Sequence, residues 1–482
     1  MPDNPYRPGY HFTPAQGWMN DPNGLVWHEG EYHLFFQHNP EGTDWGNMSW
    51  GHAVSRDLRD WEHLPVAIPV AGTEQAFSGS VVVDHDNSSG LGEPGRPAMV
   101  ALYTSCDVET GIQSQSLASS LDRGRTWSRY PGNPVLDLGS KEFRDPKVFW
   151  YAAAGCWIMV VAMAEDRVIQ FYRSDDLLAW RHLSDFGPAG SVDGVWECPD
   201  LFELPVAGEP GRTRWVLLIS VQTGAPAGGS GTQYFIGDFD GTTFTADPPG
   251  VEGALWVDHG ADHYAAVSFS GMPDEERIVI GWASNWVYAH DLPTGDFRGS
   301  ASIPRRYTLA LVDGRVRLRQ QPVLEKLPAP AYVAGPFAVV EGEHPLPVAG
   351  HGTRLRVVAV VEPESSDRIG LHLRVGAQER TVVVYEAGSS ELVVDRTRSG
   401  DVGFSEAFPA VHRAPIEPAD GVVRLEVLVD TTSIEVFAGE GEVVLSDQIF
   451  PSADSTGLAV FAEGGAGTVR SIEVTRVGTN QS

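Results

Sequence analysis

The chain has 482 residues, 42% of them hydrophobic, and a formal charge of −30 at pH 7. That length suits more than one domain. The charge argues against nucleic acid or an anionic membrane surface as a partner, because the long-range field repels both; a neutral or cationic ligand fits.

The N-terminal stretch MPDNPYRPGYHF lacks an apolar signal core. The longest apolar runs, CWIMVVAMA and WVLLISV, are too short to span a bilayer. The expectation is a soluble cytoplasmic chain as written, or a secreted one if a leader has been removed. Cys106, Cys156 and Cys198 make an odd number with no CxxC pair, which argues against a disulfide framework and a cysteine zinc site.

Next comes GWMNDPNGLVW. Asp21-Pro22-Asn23-Gly24 has the residues of a type I turn, Asp first, Pro second and Gly fourth, and a hairpin turn is the local reading. Short β-branched or alternating runs follow (YHLFFQ, GSVVVD, AMVALYTS, CWIMVVAM, VIQFYRS, RWVLLIS, RIVIGWAS), separated by Gly, Pro, Asp and Asn. No long amphipathic helix is evident, so the chain reads as all-β. A weak repeat runs through SRDLRDWEHL, SLDRGRTWSRY, SDDLLAWRHL and GDFDGTTFTAD, with aromatics at Trp61, Trp127, Trp180 and Phe244, spaced 66, 53 and 64 residues apart. With about four strands per period, that is the size of a β-propeller blade. Segment 255–320 supplies one more, giving a five-bladed propeller over residues 1–320. A generic sandwich whose hairpin turns use Asp and Trp is the alternative.

From Gln321 the texture changes. Pro322, Pro328, Pro330, Pro336, Pro345 and Pro347 disfavour helix and central strand. Residues 321–339 are therefore predicted as a linker or strap. Beyond them, clean period-2 runs such as TRLRVVAVVE and RTVVVYEA predict a β-sandwich over 340–482.

Three acids stand out in aromatic, proline-punctuated settings: Asp21 in WMNDPNG, Asp145 in EFRDPKVFW and Glu197 in VWECPDLFEL. A residue before proline is pushed toward extended backbone, which places Asp21 and Asp145 at strand edges. The blade count puts the three on the first, third and fourth blades. Inner strands of all blades face one axis, so the acids can converge there. Paired carboxylates with Trp walls are the equipment for cleaving a glycosidic bond. Taken singly, each acid reads as well as a turn residue capping its own backbone.

With these motifs the chain resembles glycoside hydrolase family 32, the β-fructosidases (invertases, inulinases and levanases), over nearly its whole length. WMNDPNG, FSGS at 77–80, FRDPKV at 143–148, WECPDL at 196–201 and GWASNW at 281–286 fall in the family's order. GTDWGNMSWGHAVSRDLRDWEHLPVAI is most similar to the exo-acting levanases and inulinases. The resemblance implies a five-bladed propeller followed by a sandwich. It implies Asp21 as nucleophile, Glu197 as acid/base and Asp145 as transition-state stabiliser. It implies a fructose pocket of Asn20, Gln37, Trp45, Phe77, Ser78, Arg144 and Trp286, with Trp18, Asp262 and Trp282 as further candidates. An acid/base must hold a proton near neutral pH, so a raised Glu197 pKa is expected. No cofactor and no metal is expected.

DHGADH, 258–263, offers two Asp and two His, but Gly260 breaks the helix an i, i+4 zinc pair needs, so a turn or polar active-site rim is expected. GAPAGGSGT, 224–232, lacks the Lys-Ser/Thr and helix of a phosphate cradle and reads as a loop. Trp61, Trp127 and Trp180 read as blade packing, and Cys198 as a small buried neighbour.

The expected function is a retaining exo-β-fructosidase acting on fructans (levan or inulin) and on sucrose. Alternatives are a sucrose-preferring invertase or sucrose-6-phosphate hydrolase, a levanbiose-releasing enzyme or fructosyltransferase, and an inverting arabinan- or xylan-active propeller, which needs carboxyls about 6.5–9.5 Å apart rather than 5–5.5 Å. A carbohydrate-binding propeller without catalysis would tolerate loss of an acid; all three are present. Oligomeric state is not legible.

Overall fold

The computed structural model describes residues 4–248, 250, 253–273 and 276–478. Five sheets of at least four strands each, antiparallel but for one short pairing in the first, follow one another along residues 17–322. Their inner strands are Gly17–His28, Glu74–Asp84, Phe143–Tyr151, Trp196–Pro205 and Tyr264–Ser268, on blades I to V. Each inner strand touches the next, and the fifth touches the first, so the ring is closed. Phe297–Arg298, from a blade V loop, pairs in parallel with Gly17–Trp18 and fastens the closure.

The aromatic repeat marks the outer edge of blades I to IV. Trp61 and Phe244 begin outermost strands, and Trp180 directly precedes one, Arg181–Phe186. The Asp in each repeat holds the turn before it. Asp57, Asp122, Asp176 and Asp240 accept from backbone N–H groups two to four residues onward, the local geometry these side chains favour. The indoles of Trp127 and Trp180 donate to Gly124 O and Leu177 O, tying each ring to its own turn. Apolar residues between blades supply the cohesion, as in Val216, Leu218, Tyr234, Val279 and Leu309 between blades IV and V. Each fully buried aliphatic or aromatic side chain of this kind contributes roughly 1.5–3 kcal/mol.

The last propeller strand, Arg315–Pro322, ends inside the predicted linker. The linker is also shorter than expected. Tyr332–Ala334 and Phe337–Val339 already pair with Gly467–Arg476, at the margin of a sandwich sheet. Proline is tolerated there because these strands are short and lie at a sheet edge; Pro345 closes another edge strand, Gly342–Pro345. The sandwich proper shows strict alternation: Leu355, Val357, Ala359 and Val361 are buried while the residues between them are half-buried.

Propeller and sandwich meet along a buried polar seam. Arg305, fully buried, binds Asp258 at 2.9 Å and Glu435 at 2.7 Å. His11 lies between Asp430 and Glu435, at 2.8 and 2.9 Å. Arg396 of the sandwich reaches Asp262 at 2.6 Å and the Tyr288 hydroxyl at 3.0 Å. The DHGADH segment therefore belongs to the interdomain seam, not to an active-site rim. Its backbone pairs with residues 444–446, and a Cβ on Gly260 would lie 2.2 Å from Ser446 backbone atoms.

Candidate active site

All five inner strands share one irregularity. Three residue steps on the inner strand face two on its neighbour: Met19–Pro22, Ala76–Gly79, Arg144–Lys147, Glu197–Asp200 and Tyr264–Val267. One extra residue per strand is a β-bulge, which bends the strand and re-aims side chains. The expected site acids lie in these bulges: Asp21 in blade I, Asp145 in blade III and Glu197 in blade IV. Asp21 therefore sits within a bulged strand rather than in a hairpin turn. Its carboxylate is held by the blade, not by a local type I turn.

Asp145 also departs from expectation. It lies within a strand but has φ 69°, as Cys198 has φ 48° and Ala265 φ 52° at the matching bulge positions of blades IV and V. Left-handed backbone at a non-glycine residue costs roughly 1–3 kcal/mol, and packing on both sides maintains it here. The extended preference before proline is overridden by the bulge. In blade II close approach requires glycine: a Cβ on Gly79 would lie 2.1 Å from Leu102 O.

The bulges bring the acids into one hydrogen-bonded cluster. Ser78 Oγ donates to Asp21 Oδ2 at 2.6 Å, and Cys198 Sγ lies 3.5 Å from the same oxygen. The Cys198 N–H donates to Asp145 Oδ2 at 2.9 Å. Asp145 N–H itself donates to Thr104 Oγ1 at 2.9 Å. Arg144 Nε donates to Glu197 Oε1 at 3.0 Å, with Nη2 also 3.0 Å from that oxygen. Its Nη1 is held by Glu142 at 2.5 Å and Gln113 at 3.3 Å. The Tyr264 hydroxyl donates to Glu197 Oε2.

Four carboxylates, Asp21, Glu142, Asp145 and Glu197, crowd one guanidinium, and close like charges oppose one another's ionisation. Burial, then the charge of Glu197, raises the Asp21 pKa, against hydrogen bonds from Ser78, Asn20 and Cys198 that lower it. Burial also raises Asp145; Arg144 opposes this, and Glu197 and Asp21 add to it. Arg144 stays firmly cationic, because Glu197, Asp145 and Glu142 outweigh its desolvation. The carboxylates that burial pushes upward are thus Asp21 and Asp145. Burial and mutual repulsion therefore let Asp21 and Asp145 hold protons above the ordinary carboxylate range. Cys198 is fully buried among these anions, its thiol raised well above the usual value by burial first and then by Asp145 and Asp21. It stays a neutral neighbour, not a nucleophile.

The other expected pocket residues fall into two groups. Trp45, 44% exposed, meets Phe77 edge-to-face at 5.8 Å, and the Phe77 carbonyl is fixed by Trp50 Nε1 at 2.8 Å. Trp286 is half-buried and packs at 4.9 Å from Trp282 and 5.9 Å from Trp18. Asn20 accepts from Trp18 Nε1 at 2.7 Å, and Gln37 donates to Ala76 O at 2.9 Å, so both amides are preset. Trp18 and Trp282 have no exposed surface. They back Trp286 rather than line an open pocket. Asp262 is likewise not a pocket residue. Its oxygens are taken by Arg396, Tyr288 and the Gln448 N–H on the interdomain seam.

Sequence reasoning missed Tyr264, Thr104, Glu142 and Gln113. Glu142 was within reach, standing two residues before Arg144. Tyr264 was not, because its place depends on a bulge register that composition does not encode.

Residues 11–322 match the Glycosyl hydrolases family 32 N-terminal domain, and residues 336–476 match the Glycosyl hydrolases family 32 C terminal. The chain is 46% identical to a levanase of Bacillus subtilis (strain 168), over 98% of this chain and 70% of that one. It is 41% identical to the extracellular exo-inulinase inuE of Aspergillus ficuum, over 96% and 93%. Among solved structures, the exo-inulinase of Aspergillus awamori superposes with a TM-score of 0.95 at 39% identity, covering 99% of each chain. The β-fructofuranosidase of Schwanniomyces occidentalis, complexed with fructosyl-erythritol, superposes with a TM-score of 0.89 at 31% identity, covering 98% of each. With both domains matched and the three acids gathered in one cluster, the chain belongs to glycoside hydrolase family 32.

Proposed function

We propose that the chain is a retaining exo-β-fructosidase that releases terminal fructosyl units from β-fructans and also cleaves sucrose. The observation that carries this reading is the convergence of Asp21, Asp145 and Glu197, from three blades, on one cluster with Arg144. The levanase and exo-inulinase relatives support the substrate class.

Asp21 attacks the anomeric carbon of the fructosyl unit. One of its oxygens is fixed by Ser78, which holds the carboxylate in a single attack geometry. Glu197 gives a proton to the leaving oxygen, and the fructosyl ester on Asp21 forms. Glu197 then takes a proton from water, which attacks the same carbon and releases fructose with its configuration kept. Asp145, oriented by the Cys198 N–H, faces the positive charge that develops on the ring and accepts hydrogen bonds from its hydroxyls. Trp45, Phe77 and Trp286 offer apolar faces to sugar C–H groups. Below the site, Lys147 of blade III bonds Asp200 of blade IV at 3.1 Å and Ser268 O of blade V at 2.5 Å, bridging three blades. A funnel tied off in this way suits a chain end better than a chain interior.

The test is product analysis on sucrose, inulin and levan side by side, with Asp21→Asn and Glu197→Gln as controls. Free fructose from one or both polymers, abolished in both variants, is the expected result. Cleavage of sucrose alone would reduce the enzyme to an invertase. Difructose products would make it a biohydrolase, and inactivity on all three would overturn the reading.

A further inference from the structure

Blades III, IV and V place different residues at the first position of the same bulge: Arg144, Glu197 and Tyr264. The residue after each has left-handed φ, so the three strands share local geometry. The side chains form a chain around the axis, Arg144 to Glu197 Oε1 and Tyr264 to Glu197 Oε2.

We propose that Tyr264 is the positioning residue that fixes which oxygen of Glu197, and which face of it, carries the transferable proton. Arg144 already holds Oε1, with an Nε–H hydrogen bond and with Nη2 3.0 Å away in the ion pair. A carboxylate oxygen ion-paired to a guanidinium is a poor place for a proton, because the proton would face the cation's own N–H donors. The proton therefore belongs on Oε2. There Tyr264 takes one side, leaving the other for the leaving oxygen or the attacking water. Tyr264 thus donates to Oε2 in both half-reactions, so the proton of neutral Glu197 can point only to the open side, toward the leaving oxygen.

Its ring is fully buried, 6.4 Å edge-to-face from Trp282, so little but the carboxyl partner directs the hydroxyl. The titratable groups facing this pair are Arg144 and Asp145 from blade III, Asp21 from blade I and Cys198 from blade IV. Burial, and then the charges of Glu197, Cys198 and Asp21, keep the Tyr264 phenol protonated well beyond its ordinary range. It remains a donor throughout the working pH.

This inference rests on Glu197 as acid/base, which Glu197→Gln tests separately. The direct test is the pH profile of kcat/KM on sucrose for Tyr264→Phe. Hydrogen bonds to the charged form outweigh those to the neutral form. Removing the hydroxyl should therefore move the basic limb up by about one pH unit and lower kcat about tenfold, with KM changed less than kcat. The acid limb should stay in place. Site-specific 3-fluorotyrosine at 264 keeps the hydroxyl and makes it a stronger donor; the basic limb should then move down. A basic limb unmoved in both variants, in an enzyme that Glu197→Gln silences, overturns the inference. Loss of activity with an unmoved limb, or with a rise in KM as large as the fall in kcat, would mark Tyr264 as merely structural and overturn it too.

Discussion

Ser78 of blade II donates a 2.6 Å hydrogen bond to Asp21 of blade I, so the nucleophile's geometry is set by a neighbouring blade rather than by its own turn. That bond favours the ionised carboxylate and opposes the burial that raises its pKa. The enzyme needs Asp21 ionised, so activity falls as pH drops through that raised value. Ser78→Ala removes the opposing hydrogen bond. The acid limb of kcat/KM should move up by about one pH unit, with the basic limb unchanged. A pH profile of the variant on sucrose checks this; an unmoved acid limb would mean that Ser78 does not hold the charge.

Asp145 is held at a cost to the fold. Its folded-state pKa lies above the ordinary carboxylate value, chiefly through burial. The folded state therefore keeps more protons than the unfolded state in that window, and stability falls as pH rises through it. At neutral pH Asp145→Asn should raise the melting temperature while lowering kcat about 10²–10³-fold. Calorimetry beside a sucrose assay reads both. A variant both inactive and less stable would contradict this account of the site.

His11 works in the opposite sense on the seam. Burial alone would lower its pKa, but Asp430 and Glu435 outweigh burial and hold it at about 9. Its stabilisation is complete below the unfolded value of about 6.5 and is lost as pH rises through about 9. Over that window the loss is on the order of 3 kcal/mol. Denaturant unfolding from pH 6 to 10 should show this decline in the native protein and a flatter profile in His11→Gln. Parallel profiles would remove His11 as the cause.

The Arg396–Asp262 pair joins the sandwich to the DHGADH segment of the propeller. Arg396→Met leaves a buried carboxylate uncompensated and should destabilise the protein by about 3–5 kcal/mol. Thermal unfolding measures it. A change within about 0.5 kcal/mol, the range of ordinary surface substitutions, would show that the seam tolerates the loss.

Much of this architecture was legible before the structure. The Asp-turn and Trp repeat located the outer strands because an aromatic after an Asp-held turn is a local signal, as at Asp176 and Trp180. The three acids stood out through their aromatic and proline neighbours. Three things were not legible. The bulges were hidden because DPNG carries turn residues in turn order, and only pairing with His38 and Phe36 shows that the strand runs on. Asp262 was misplaced because a charged residue beside aromatics looks like a pocket residue until its distant partner, Arg396, is seen. Tyr332–Ala334 looked like linker because proline forbids central strands but not edge strands.

The central claim is double displacement through Asp21, with the released sugar keeping its configuration. The most direct measurement is sucrose cleavage in the presence of methanol, with NMR identification of the methyl fructoside formed, since a glycoside does not mutarotate after release. The account predicts methyl β-D-fructofuranoside, absent with Asp21→Asn. Methyl α-D-fructofuranoside, or hydrolysis with no methyl fructoside at any methanol concentration the enzyme survives, would contradict it.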